Sequence, residues 1–232
     1  MQQAGGCSYL YDYEIAVEQA IRWKDTAPAQ AEAAIGHVID GKIWDRLMTD
    51  TGMYTLMSNA QREAWRKQLD GKDMPAITLD NVLSTFRQLN ADKVDTFTLG
   101  LIDIFKSLSW DYKTNNPCKF GKRVIISSLL DVWRYCAARF SSDGHTKIDD
   151  LARPFYVLDG RNVPDYRVSD GAKLDEFFRE NGFNGKIFEG EYFTVRYFKK
   201  GSGHITFKRP DLVDKINDMV ASHYPGMLPE RL

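Results

Sequence analysis

Residues 192–217, YFTVRYFKKGSGHITFKRPDLVDKIN, constrain the fold more than any other stretch of this chain. They read as two short strands, a glycine turn at Gly201-Ser202 and a helix opened by Pro210, which suits a first helical turn. Leu212, Val213, Ile216, Met219 and Val220 recur at helical spacing, so this last helix has one apolar stripe. The hairpin is harder to register. Pairing residue 199 with 204 puts Phe193, Val195, Tyr197, Lys199, His204, Thr206 and Lys208 on one face and Arg196, Phe198, Ile205 and Phe207 on the other. Neither face is cleanly apolar, and the register stays open.

The same stretch is electrically one-sided. Residues 192–209 hold Arg196, Lys199, Lys200, Lys208 and Arg209 without an acid, in a chain whose net charge is −1. A second stretch, 106–123, holds Lys106, Lys113, Lys119, Lys122 and Arg123 against the single acid Asp111. The rest of the chain is therefore acidic, and the protein is polarised along its sequence. In the second stretch Trp110, Tyr112 and Phe120 are interleaved with the cations. Cations contact phosphates and aromatic faces stack on bases, a mixture that suits single-stranded or distorted nucleic acid. Lys208 and Arg209 precede a helix N-terminus, whose free N–H groups and dipole favour an anion, although Asp211 competes for that field. Two plainer readings stand beside these. A lysine-rich hairpin can protect a sheet edge, and the aromatics of 106–123 can anchor a loop whose lysines are merely solvated.

Upstream, helical periodicity dominates. It runs through 12–24 and from Pro28 through AQAEAAIGHVID, and Ile43, Trp44, Leu47 and Met48 suggest another helix, stopped near Thr51-Gly52. A serine-capped helix spans 58–69. Thr78 or Asp80 caps the next, over 81–89, and VDTFTLGLIDIFKSL reads as a buried helix. VIISSLLDVWRYCAARF is also helical in period, with a strand at 123–127 competing because its start is β-branched. Segment 141–190, with Pro154, Pro164 and several glycine turns, reads as loops around one helix at 172–181. The expected fold class is α+β: a predominantly helical body, residues 1–140, with a C-terminal segment, 141–232, carrying the β-hairpin and final helix and packed as one domain with the first.

Chemistry is less legible. His204, one of four histidines, is the candidate acid–base residue, with Asp111 as a candidate base or orienter and Lys113, Lys208 and Arg209 around it. A lone strand histidine also serves as a packing or hydrogen-bonding residue. No partner histidine or cysteine lies at metal-ligand spacing, and Cys7, Cys118 and Cys136 form no CxxC pair, so neither zinc nor a disulfide framework is expected. Magnesium held by carboxylates is compatible with the sequence, since oxygen sites leave little trace. FGKR lacks P-loop spacing, and no glycine-rich nucleoside-cofactor motif is present. No cofactor is identified. There is no secretory pattern at the N-terminus and no apolar run long enough for a membrane span, so a cytoplasmic location is expected.

LSWDYKTNNPCKFGKRVI at 108–125 and FKKGSGHITFKRPDLVDKIN at 198–217, with ITLDNVLSTFRQL at 77–89 and LDG at 158–160, resemble a domain-of-unknown-function family of enterobacterial phages and prophages. Members stand alone or are attached to phage-type DNA methyltransferases. The resemblance covers roughly residues 40–230 and implies a mobile-element setting linked to DNA modification, defence or counter-defence. Where that family often reads FKNGNGH, this chain has Lys200 and Ser202 in place of the asparagines. Three functions follow as expectations: nucleic-acid binding through both basic segments, a nuclease or glycosylase with a site near His204, or a protein inhibitor of a host defence factor. The partners implied are nucleic acid and, on the protein side, a methyltransferase or a host defence protein.

Overall fold

The computed structural model describes residues 28–71, 74–108, 119–133 and 138–223. The helix expected at 12–24, together with Asp111, Lys113, Cys7, Cys118 and Cys136, lies outside them. Among the described residues, seven α-helices and two small antiparallel sheets give an α+β fold with a predominantly helical body, a C-terminal sheet and a last helix. The chain forms two compact units: one comprises residues to Tyr54 and Arg62–Ala91, the other Thr55–Gln61 and everything from Asp92 onward.

The first unit is helical. Pro28 opens α1 (Pro28–Asp50), which runs unbroken to the stop expected near Gly52, whose φ is 73°. Residues of α2 (Asn59–Leu69) and α3 (Leu79–Ala91) complete it. Trp44 and Met48, four apart on α1, are its most buried side chains. Trp44 donates its indole N–H to the Pro75 carbonyl at 2.8 Å and faces Phe86 of α3. Thr78 caps α3 by accepting from Asn81 N–H at 3.2 Å. Tyr54 donates its hydroxyl to Asp45, and burial with that carboxylate beside it pushes the phenol well above its usual range.

The second unit opens at residues 55–61, where Ser58 and Gln61 form a capping box: Gln61 N–H donates to Ser58 Oγ at 3.2 Å and Ser58 N–H to Gln61 Oε1 at 2.8 Å. Helix α4 (Lys93–Ser107) buries Phe97, Leu101, Ile104 and Phe105 of its periodic positions, while Val94 at the same spacing is exposed. Beyond it the helical period of 124–140 misleads. The described residues there form strands β1 (Arg123–Ile126), β2 (Leu130–Val132) and β3 (Ala138–Phe140). The β-branched start prevailed because Val124, Ile125 and Ile126 are buried in a sheet, where stiff branched side chains pack well.

Segment 141–190 is more ordered than its prolines suggest. Helix α5 (Ser142–Leu158) runs through Pro154, and Ser141 caps it by accepting from Gly144 N–H at 2.8 Å. An internal proline removes a helical hydrogen bond and clashes with the preceding turn, at a cost of about 3 kcal/mol. That cost is offset by burial of Ile148, Leu151, Ala152, Phe155 and Tyr156 along one face. Arg153, only 6% exposed, ties the same turn to residues 55–61. It donates to the Met57 carbonyl at 2.5 Å and to Asp150 Oδ1 at 2.7 Å, and Asp150 also accepts from Asn59 N–H at 3.2 Å. Helix α6 (Asp170–Asn181) follows, capped by Ser169.

Strands β4 (Phe188–Glu189), β5 (Phe193–Tyr197) and β6 (Gly203–Phe207) then join β1 in one antiparallel sheet of order β1-β6-β5-β4. Arg196 pairs with His204 and Tyr197 with Gly203, not residue 199 with 204. This register gathers Phe193, Val195, Tyr197, Ile205 and Phe207 on one buried face with Val124 and Ile126 of β1. Placing one face in a core selects it, since a pairing of the other parity exposes half of these groups. Helix α7 (Pro210–His223) lays Leu212, Val213, Ile216 and Val220 into the same core. The second sheet pairs β2 with β3.

Arg153→Met should cost about 3–5 kcal/mol in thermal or urea unfolding, because it strands a buried Asp150 carboxylate without its cation. Adding Asp150→Leu should recover much of that loss. Equal instability of the single and double variants would show that the pair is not what holds α5 to residues 55–61.

Candidate functional site

Alternation along the strands decides where the charges go. With the apolar positions inward, Thr194, Arg196 and Phe198 of the β5 arm, His204 and Thr206 of β6, and Arg123 and Ile125 of β1 share the opposite face. The register sets Arg196, His204 and Ile125 in one row and Thr194, Thr206 and Arg123 in the next. The two basic stretches, about 80 residues apart in sequence, thus meet on one sheet through β1 and β6. Arg123 and Arg196 are exposed, His204 is partly buried and Ile125 is covered.

His204 is the centre of this face. Its ring lies 4.5 Å from that of Phe198, and the Arg196 guanidinium sits 5.6 Å from the Phe198 ring centre. Burial lowers the imidazole below its ordinary pKa of 6.5, and Arg123, Lys200 and Arg196 lower it further. Among the described residues no carboxylate pairs with His204. Glu189, opposite Thr194 on β4, is paired with Lys208 at 2.8 Å.

The hairpin turn is built to present its lysines. Phe198 N–H donates to the Ser202 carbonyl at 2.9 Å and Gly201 N–H to the Phe198 carbonyl at 2.8 Å. Gly201 alone takes a left-handed φ, 86°, and a Cβ there would lie 2.6 Å from the Leu130 carbonyl. Gly203 serves a different need: a Cβ would collide with the Leu129 side chain. The replacements at 200 and 202 therefore leave the turn geometry intact, with Gly201 supplying the positive φ. Lys199 and Lys200 are exposed at the tip, and Ser202 is buried beneath it.

The remaining basic residues divide. Lys119 and Lys122 are exposed on the approach to β1. Lys106 lies in the last turn of α4, in the helical layer whose Phe105 stacks on Phe120, rather than on the sheet. Lys113 lies outside the described residues. Lys208 donates to the Gly190 carbonyl as well as pairing with Glu189. Arg209 is clamped by Asp211 at 2.7 Å and Asp159 at 3.0 Å, and Asp159 also accepts from the Tyr192 hydroxyl. The Asp211 carboxyl is held down at about 2, first by the hydrogen bond from Arg209. Lys208 and Arg209 are thus engaged with acids beside the α7 N-terminus, whereas Arg123, Arg196, Lys119, Lys122 and Lys199 form no ion pair among the described residues.

One residue that positions the site left no trace in the periodicity. Asn217 of α7 accepts from Phe120 N–H at 2.7 Å and donates to the Phe120 carbonyl at 3.0 Å. It acts as a strand would and fixes the approach to β1, while Phe207 N–H donates to the Lys122 carbonyl at 3.1 Å. Among the described residues no group of three or more His, Cys, Asp or Glu is placed to hold a metal ion, and no helix is long and apolar enough to cross a membrane.

Asn217→Ala should cost about 1–3 kcal/mol, since it leaves two backbone groups of Phe120 without partners. The loss is read in chemical unfolding and in faster amide exchange at Phe120 and Lys122; unchanged exchange there would mean that Asn217 does not hold this segment. His204 makes a pH prediction. Above its ordinary 6.5 the imidazole is neutral in both states and has no effect. As pH falls below that value the unfolded chain takes up the proton first, so stability drops, and the drop is complete below the folded-state pKa. His204→Gln should flatten this part of the stability–pH curve, and an NMR titration of His204 should give a midpoint below 6.5. A midpoint at or above that value would mean that neither burial nor the three cations lower its basicity.

No curated protein and no solved structure matches the chain. A family model for a domain of unknown function, DUF4942, matches residues 36–226, which includes both basic stretches, all four strands of the main sheet and all of α7. The chain belongs to the DUF4942 family.

Proposed function

We propose that this protein binds nucleic acid through the outer face of its four-stranded sheet. One observation supports the reading above the others: Arg123 and Arg196, which form no ion pair among the described residues, act together with Lys200 on His204 from one face of the sheet. Like charges gathered on one face repel, and such an arrangement is stabilised when an anion occupies it. Edge protection does not explain why cations from two strands and the turn act on His204, which lies on the interior strand β6. The cations that do sit at the α7 N-terminus are already neutralised, which shifts the expected contacts from Lys208 and Arg209 to Arg123, Arg196 and the turn lysines Lys199 and Lys200.

The setting we propose is that of a phage or prophage protein acting in the host cytoplasm, linked to DNA modification, defence or counter-defence. The support for this finer reading is the resemblance of the quoted motifs. The enzymatic alternative, a nuclease or glycosylase centred on His204, draws less from the geometry. Its neighbours are cations and a phenyl ring, and among the described residues no acid is placed to orient the imidazole for proton transfer.

The test is affinity for single- and double-stranded DNA and RNA across a salt series, with product analysis of the same samples. Arg123→Ala and Arg196→Ala should each weaken binding and reduce the salt slope by about one. Arg209→Ala should change stability more than the slope. Absence of salt-dependent binding in the wild type would end this reading in favour of a protein inhibitor, and cleavage or base release abolished by His204→Ala would restore the enzyme.

A further inference from the structure

The outer face of the sheet is not uniformly basic. It also carries a group of planar side chains in mutual contact: Phe198, His204 4.5 Å away, and the Arg196 guanidinium 5.6 Å from the phenyl ring. Phe198 is only partly buried although the core of the same unit is dense with aromatic rings. Strand alternation explains its direction, since it follows Tyr197, which points inward and is 7% exposed. A partly exposed phenyl ring among cations, tilted 53° to the His204 ring, presents aromatic surface beside positive charge.

Arg123 stands at the far side of this group. It is two strands and two register positions from Arg196, which is about 12 Å between Cα atoms at ordinary strand spacing and rise. Thr206 lies between Arg123 and Thr194, adding hydroxyl groups to the same surface. Cations therefore flank a stacking group across a span that a few nucleotides can bridge.

We infer that the ligand of this face is single-stranded nucleic acid, with a base stacked on the Phe198–His204–Arg196 group and the flanking phosphates held by Arg123 and the turn lysines. This rests on the nucleic-acid reading above and narrows it. In a duplex the base faces are hidden in the stack, and only phosphates and groove edges remain for a protein. The partly exposed aromatic group on this face has no partner there. A single strand exposes both the π-faces and the phosphates, and it satisfies the aromatic and the basic residues together.

The experiment is fluorescence anisotropy of the full chain with labelled oligonucleotides of about 15 nucleotides, the upper range of single-strand footprints. The probes are oligo-dT, oligo-rU, an abasic strand of equal charge and a hairpin duplex. Wild type should bind dT or rU more tightly than the duplex. Phe198→Leu should weaken single-strand binding about 5- to 150-fold, the range for loss of one stacked base, while leaving the salt slope and abasic-strand affinity unchanged. Arg196→Lys keeps the charge and loses the plane, so it should weaken dT binding with the slope preserved; it serves if Phe198→Leu melts at lower temperature. Duplex bound as tightly as single strands, or dT affinity unaffected by both variants, would overturn the inference and leave a purely electrostatic nucleic-acid surface. No binding of any probe would instead bring down the nucleic-acid reading itself.

Discussion

Phe207 is the residue on which the sheet, the helices behind it and the basic face all depend. Its ring lies 5.5 Å from Phe120 and 5.2 Å from Phe155, so it joins the approach to β1 with helix α5. Phe120 in turn stacks on Phe105 of α4 at 4.1 Å, and Phe155 on Tyr192 at 5.7 Å. Each such pair contributes about 0.5–1.5 kcal/mol beyond the area it buries. The backbone of Phe207 also binds the Lys122 carbonyl. Because its side chain must point inward, Thr206 must point outward and Ile205 inward, which leaves His204 outward opposite Arg196. The polarity of the whole face follows from one buried ring.

The electrostatics of the unit separate two populations of cations that are equivalent in the sequence. Lys208 and Arg209 lie at the sheet's end, within reach of Glu189, Asp159 and Asp211, and they tie the final helix to the loops around residues 159 and 190. Arg123 and Arg196 lie exposed on the sheet's outer face, where they form no ion pair among the described residues. The first group is structural by its partners. The second keeps its charge uncompensated among the described residues and adds to burial in lowering the basicity of the one histidine between them. Exposed ion pairs add at most about 1 kcal/mol each, so stability alone does not require this sorting.

Two polar ties carry the long-range organisation that apolar packing leaves undefined. Asn217 holds Phe120 across 97 residues, and Arg153 holds the Met57 carbonyl across 96. Both satisfy buried backbone groups that would otherwise lose their hydrogen bonds to water. Burial raises the Asp150 carboxyl while Arg153 beside it pulls the other way, so the pair is maintained by contact and not by ease of ionisation. Asp170, buried at the start of α6 near Asp149 and Glu191, is likewise pushed upward by burial.

The helices α1 through α4, the serine cap at residue 58, the last helix and the existence of a basic β-hairpin were all determined by local sequence, because apolar spacing, caps and glycine turns act within a few residues. So was the clustering of cations into two stretches. The strand character of 123–126, 130–132 and 138–140, the helix through Pro154 and the hairpin register were decided by tertiary structure. In each case partners remote in sequence outweigh the local signal: β6 pairs with β1, Arg153 and the core compensate Pro154, and the buried face selects the pairing of 196 with 204. The candidate site is divided in the same way. Its residue types are visible in the chain, but sheet pairing alone brings Arg123 beside His204, and only the inward turn of Phe207 and Tyr197 sets Arg196, Phe198 and His204 together on the opposite face.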